Sequence, residues 1–230
     1  MEITTLPVWS RLAPEEAVPP EVRERRPADM RLSSHQLETY KALVDGNADV
    51  IFNTAMTGDG KSLAGQLPVL IHEWRSPLLA MYPTNELIQD QESQLRGSQQ
   101  KWRSQLVFGT LNSHVLDAMM GERDVRRGDA LMDVLRNCDA VITNPDIFHL
   151  IVHQFYLLPR DARDKIIGPM MQRFGRMVFD EFHIFDVAQV ISVLNALLLL
   201  DEMGGDVRRP RYLFLSATPG ELMLEYLQRS

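Results

Sequence analysis

Cysteine is almost missing from this chain, and so is any long apolar run. The one cysteine, Cys138, cannot form an internal disulfide, which excludes a disulfide-held scaffold and fits a reducing, cytoplasmic setting. No uninterrupted apolar stretch exceeds the five residues Ala196–Leu200, far short of the roughly 20 that a membrane helix needs. The first residues carry acidic side chains and no apolar core segment, so no secretory leader is expected. Positive charge is in the minority: 24 Lys and Arg against 31 Asp and Glu give a net charge of −7. A chain of that sign cannot hold nucleic acid by bulk charge. Any such binding must be local.

What is present is an ordinary globular composition, 45% apolar and 24% charged over 230 residues, which is enough to bury a real core. The beginning differs from the rest. Pro7, Pro14, Pro19, Pro20 and Pro27 interrupt residues 1–31, which read as an extended Pro/Arg-rich arm with Trp9 as an anchor. Ser33-Ser34 then caps a helix to about Val44. From Asp49 short apolar runs alternate with longer helical stretches. The runs are Val50–Asn53, Pro77–Tyr82, Gln105–Phe108, Ala140–Thr143, Met177–Phe179 and Tyr212–Leu215. Apolar on both faces and joined by helix-length crossovers, they predict an α/β fold with a doubly wound, mainly parallel sheet. In such a sheet, ligands sit beyond the carboxyl ends of the strands, so the residues just after each run carry the information.

The first run leads into Ala55-Met56-Thr57-Gly58-Asp59-Gly60-Lys61-Ser62. Its glycines let backbone N–H groups from Thr57 to Gly60 converge on phosphate oxygens, and the helix that follows adds its positive end. Lys61 then reaches the outer phosphates and Ser62 ligates Mg²⁺. Ala55 stands where the strict pattern has glycine, and Asp59 is an unexpected anion beside phosphates. It is expected to point away.

A second run ends in Asp180-Glu181-Phe182-His183. Phosphoryl transfer to water needs one carboxylate to hold the metal and another group to orient or deprotonate water. Asp180 fits the first role and Glu181 the second, while His183 is placed to sense the outer phosphate. The last run ends in Ser216-Ala217-Thr218-Pro219. Ser216 and Thr218 either hydrogen-bond the paired acids, coupling them to the neighbouring strand, or form a plain turn.

Taken in order, Ala-x-x-Gly-x-Gly-Lys-Ser, Asp-Glu-x-His and Ser-Ala-Thr resemble the first RecA-like lobe of superfamily 2 helicases. The resemblance spans residues 32 to 219. It implies ATP and Mg²⁺ as cofactors and a RecA-like domain over 32–230. It also implies a role on adenine for Gln36, 25 residues before Lys61. Pro83-Thr84-Asn85-Glu86-Leu87 and Thr143-Asn144-Pro145-Asp146 resemble the two motifs that touch the nucleic-acid backbone, through Thr84, Asn85, Thr143 and Asn144. Asp-Glu-Phe-His, Ile142–His149 and the absence of any His-Asp dipeptide look most like the CRISPR-associated helicase of type I-D interference. That implies movement on single-stranded DNA beside a guide-RNA effector complex whose large subunit carries the HD nuclease. Such helicases use a second lobe, which residues after Pro219 are too few to form. The chain is therefore expected to be one lobe of a longer protein. The rivals are a helicase outside CRISPR, and a docking module with no turnover of its own.

Other features carry blander expectations. His149 and His153 have the spacing of a zinc pair but no completing acid. Arg123/Arg126/Arg127 and Arg208/Arg209/Arg211 read as solvated clusters. The stripe Val187, Val190, Ile191, Leu194, Leu197 and Leu198 has helical spacing and reads as core. Cys138 reads as an inert thiol, and Trp74 and Trp102 as packing residues.

Overall fold

The computed structural model describes residues 10–46, 48–123, 127–156, 173–204 and 210–217. Six parallel strands form one sheet: β1 (Val50–Asn53), β2 (Leu78–Met81), β3 (Phe108–Leu111), β4 (Ala140–Thr143), β5 (Arg176–Phe179) and β6 (Arg211–Leu215), in the order β1-β6-β5-β2-β4-β3. The doubly wound α/β expectation is met. Among the described residues the α-helices are α1 (Pro20–Arg25), α2 (Ser34–Asp45), α3 (Lys61–His72), α4 (Asn85–Lys101), α5 (Ser113–Arg123), α6 (Arg127–Asn137), α7 (Pro145–Tyr156) and α8 (Val187–Gly204).

Side-chain alternation along the strands feeds two cores. Leu78, Ala80 and Tyr82 point with Val178, Leu213 and Leu215 towards α2, α3 and α4. Leu79, Met81, Val141, Phe179 and Phe214 point towards α5, α6, α7 and α8. Gly65 brings α3 onto the sheet: a Cβ there would meet Val178 and Leu213 side chains at 3.2 and 3.3 Å. That close approach fixes the helix that carries Lys61.

Four expectations change. The arm is not extended throughout, because Pro20 occupies the first turn of α1, where a missing N–H costs nothing. Val18 and Val22 are buried in the core, and Leu12 forms an antiparallel bridge to Ser33. The third strand begins at Phe108, later than Gln105, with Leu106 buried and Val107 53% exposed. On α8 the buried positions are Val193, Ala196 and Leu200, whereas Val187, Ile191 and Leu198 are exposed. Finally, Trp102 is fully buried as expected, but Trp74 is 65% exposed under the Arg75 guanidinium. Cys138 is buried, and burial pushes its thiol up despite nearby Arg173. Trp9, Arg126, Arg208 and Arg209 lie outside the described residues.

Candidate nucleotide and nucleic-acid site

The carboxyl ends of β1, β2, β4, β5 and β6 bring the predicted residues to one edge of the sheet. After β1 the chain turns through Gly58 and Gly60, both with positive φ (89° and 74°), into the N-terminus of α3. Glycine is needed at 60 for a second reason. A Cβ there would lie 2.5 Å from Gln36 Nε2. Thr57 and Gly58 are exposed, Ser62 is half-buried and Lys61 is buried at 4% exposure.

The loop is held from behind by Gln36 and by residues that the motif pattern does not contain, His35 and Asn53. Gln36 closes the α2 capping box by accepting from Ser33 N (2.9 Å) and donates to the carbonyls of Gly60 (3.0 Å) and Asp59 (3.4 Å). Both N–H donors of its amide are therefore taken by the protein, while Oε1 keeps one lone pair free to accept from a base. His35 Nε2 lies 3.1 Å from Asp59 O, and its Nδ1 accepts from Asn53 Nδ2 at 3.0 Å. Asn53 also donates to Thr39 Oγ1 and accepts from Ala55 N. The donor-only Asn53 amide nitrogen leaves the ring proton on Nε2, so a neutral His35 ties the foot of the loop to its crest. Burial accordingly lowers the His35 pKa. The Asp59 carboxylate is turned to the arm, where Ser10 Oγ donates to it at 2.6 Å, in line with the expectation that it avoids phosphate. A cavity of about 570 Å³ opens between the arm, α2 and the end of β1.

Asp180 follows β5 directly and is fully buried. Its N–H is bonded to Met81 O across the sheet (2.9 Å), and its Oδ1 accepts from Glu181 N (2.8 Å). Burial pushes the Asp180 carboxyl up to about 6, against the opposing pull of the Ser62 hydroxyl, the Glu181 N–H and Lys61. Glu181 adopts a left-handed backbone, φ 50° and ψ 40°, a strained conformation for a residue with a Cβ. Its Oε2 and the Oδ2 of Asp180 are buried without a hydrogen-bond donor. The Asp180 Oδ2, buried and accepting no hydrogen bond, is what a bound cation would satisfy. With the Ser62 hydroxyl, which pulls on the same carboxyl, it offers the hard oxygen donors that suit Mg²⁺. His183 Nδ1 lies 3.4 Å from Glu181 Oε2.

At the end of β2, Tyr82 is buried beside Asp180. Burial, and then the Asp180 charge, pushes its phenol well above the usual range. Its hydroxyl donates to Gln91 Oε1 (3.4 Å), which Gln66 Nε2 also approaches. Thr84 caps α4 through Leu87 N (3.3 Å) and is exposed. Asn144 caps α7 through Ile147 N (2.9 Å) and donates to Asn85 Oδ1 (3.3 Å), joining the two loops. Thr143 needs correction. It is 0% exposed and its hydroxyl donates to Leu111 O (2.8 Å), because strand alternation turns it inward. Its hydroxyl braces β4 on β3 and does not face the sheet edge. Ser216 is buried, with its N–H on Asn53 O (3.1 Å), and Thr218 lies outside the described residues.

The family model described as DEAD/DEAH box helicase matches residues 33–225. Among solved structures, the chain resembles the DUF1998 helicase MrfA bound to DNA and AMPPNP. The TM-score is 0.63 at 22% identity, covering 92% of this chain and 28% of that one. It also resembles the Mycobacterium smegmatis helicase Lhr bound to ssDNA and AMP-PNP (0.56, 18%, 81% and 23%). A third likeness is to Mss116p bound to ssRNA and AMP-PNP (0.62, 17%, 93% and 41%). The chain thus spans between about a quarter and two fifths of the length of each. No curated protein sequence matches it.

Proposed function

The chain belongs to the DEAD/DEAH box helicase family, and from that premise we propose that it is the ATP-binding lobe of an ATP-dependent helicase that moves on single-stranded DNA. The observation that carries this reading is the convergence at one sheet edge. A glycine-turned loop, a buried lysine and the paired acids, with the Asp180 Oδ2 unsatisfied, share that edge with the polar caps of α4 and α7, Thr84 exposed and Asn144 half-buried.

The loop N–H groups and Lys61 bind the phosphates of ATP, the positive end of α3 adding to their pull. Ser62 and Asp180 would hold Mg²⁺, which supplies charge neutralisation at the outer phosphates. Glu181, held by its strained backbone at the end of β5, orients the attacking water and takes its proton. His183, whose ring lies beside Glu181, responds to the outer phosphate. Gln36 holds the loop through its two N–H donors and meets adenine through the second lone pair of Oε1. Thr84, Asn85 and Asn144 receive the DNA backbone, and Ser216 links the acids to β6. Arginine fingers from a second lobe would complete the transition-state charge.

A finer reading is a helicase of type I CRISPR interference, partnered with a guide-RNA effector complex. Asp-Glu-Phe-His and the Ile142–His149 segment support it, and co-purification with that complex tests it. The competing class is a docking module that binds a partner and turns nothing over.

The deciding experiment is hydrolysis by the complete protein that carries this lobe. Glu181→Gln should keep ATP binding and lose hydrolysis by about 10²-fold or more. Wild-type turnover in Glu181→Gln contradicts the assignment.

A further inference from the structure

The segment leaving the paired acids is tied to the candidate DNA-facing loop by one side chain that the motif pattern does not single out. After Glu181 the chain makes a short 3₁₀ turn, Phe182–Ile184, closed by Ile184 N to Glu181 O (2.8 Å). Phe182 and Phe185 lock this turn in the core, packed against each other, with Phe182 also against Phe214. Asp186 then caps α8. Its Oδ1 accepts from Gln189 N (2.8 Å), and its own N–H is accepted by Gln189 Oε1 (3.2 Å). This reciprocal pair is a capping box, and glutamate at 189 would close it equally well.

Glutamine adds what glutamate lacks, a donor. Gln189 Nε2 gives its hydrogen bond to Pro83 O at 3.0 Å. Pro83 sits between the end of β2 and Thr84, the cap of α4. From there the bonds continue through Asn85 to Asn144 and the cap of α7. A single amide therefore joins the piece of chain that holds Glu181 to the loop that carries Thr84 and Asn85.

We propose that Gln189 is a positioning residue that couples DNA on the Thr84–Asn85 loop to the placement of Glu181. Gln189 touches neither ATP nor the reacting water. When the loop closes on a DNA backbone, the Pro83 carbonyl draws on the Gln189 amide, and the locked turn carries that constraint back to Glu181. The inference rests on reading the chain as a DNA-stimulated ATP hydrolase.

The test measures ATP hydrolysis by the complete protein, with and without a saturating single-stranded DNA oligonucleotide, in wild type, Gln189→Glu and Gln189→Ala. Gln189→Glu keeps the acceptor that caps α8 and replaces the donor to Pro83 with a carboxylate oxygen that the Pro83 carbonyl repels, so the link is broken while the cap remains. Both variants should keep DNA-free hydrolysis within about twofold and lose about fivefold or more of the DNA stimulation. The loss should lie in kcat at saturating DNA, with the half-stimulating DNA concentration unchanged. Gln189→Glu should also melt with wild type, since the cap survives. Full stimulation in Gln189→Glu overturns the inference, even where Gln189→Ala is impaired, because the side chain would then serve only as a cap. A wild type that DNA does not stimulate overturns the functional reading itself, and the coupling with it.

Discussion

At the scale of single residues, the site is assembled from groups held against their own preferences. Asp180 is buried with a carboxyl raised to about 6, and Glu181 sits in a left-handed backbone. His35 is the group with a clear stability consequence. Burial lowers its pKa below 6.5, so on acidification the unfolded chain takes up a proton before the folded chain does. Its contribution is present above about pH 6.5 and lost as pH falls. The Asp180 carboxyl, raised to about 6, gains stability over the same range and opposes this loss, so the His35 effect is read as a difference: between about pH 8 and about pH 5 the melting temperature of wild type should fall relative to that of His35→Gln. His72, whose pKa burial also lowers, retains part of the slope. An unchanged pH profile in His35→Gln contradicts the assignment. None of this was legible in the chain. His35 and Asn53 matter through contacts across 18 residues, which no local pattern encodes, whereas Lys61, Ser62, Asp180 and Glu181 stand in fixed motifs.

At the scale of elements, burial alternation decides what a motif residue can do. Thr143 shares its motif with Asn144, and the sequence pattern alone treats both as contacts to nucleic acid. A strand turns neighbours to opposite faces, so Thr143 braces Leu111 O inside while Asn144 emerges at the rim. Thr143→Val should lower stability by about 1 kcal/mol through the lost bond and leave DNA affinity unchanged, measured by melting and by fluorescence anisotropy. A weakened DNA complex with intact stability would restore the discarded role. The same physics explains α8. Apolar residues occupy most of its circumference, so their spacing could not select the buried side, and Val193, Ala196 and Leu200 face the core in place of Val187, Ile191 and Leu198. The strands were readable because their runs are apolar on both faces. The helix in the arm was not, because Pro20 marks a first turn as readily as a break.

At the scale of the whole molecule, a sheet of six parallel strands serves as a frame whose carboxyl edge gathers loops from distant parts of the sequence. Net negative charge is compatible with that design, since phosphates and a DNA backbone would meet a loop, helix ends and small polar caps rather than a basic surface. Among the described residues no helix is long and apolar enough to cross a membrane. The fold class was legible because crossover lengths and buried runs agree. The braces behind the phosphate loop, Ser10, His35, Gln36 and Asn53, became visible only when the arm, α2 and β1 were seen together. The central claim is that this edge binds ATP through Lys61. It is tested most directly by titrating ATP with Mg²⁺ into the chain by calorimetry, in wild type and in Lys61→Ala. The account predicts saturable, Mg²⁺-dependent binding that weakens by about tenfold or more in the variant, as expected for loss of a charge-assisted contact; equal affinity in the two proteins, or no binding by wild type, would contradict it.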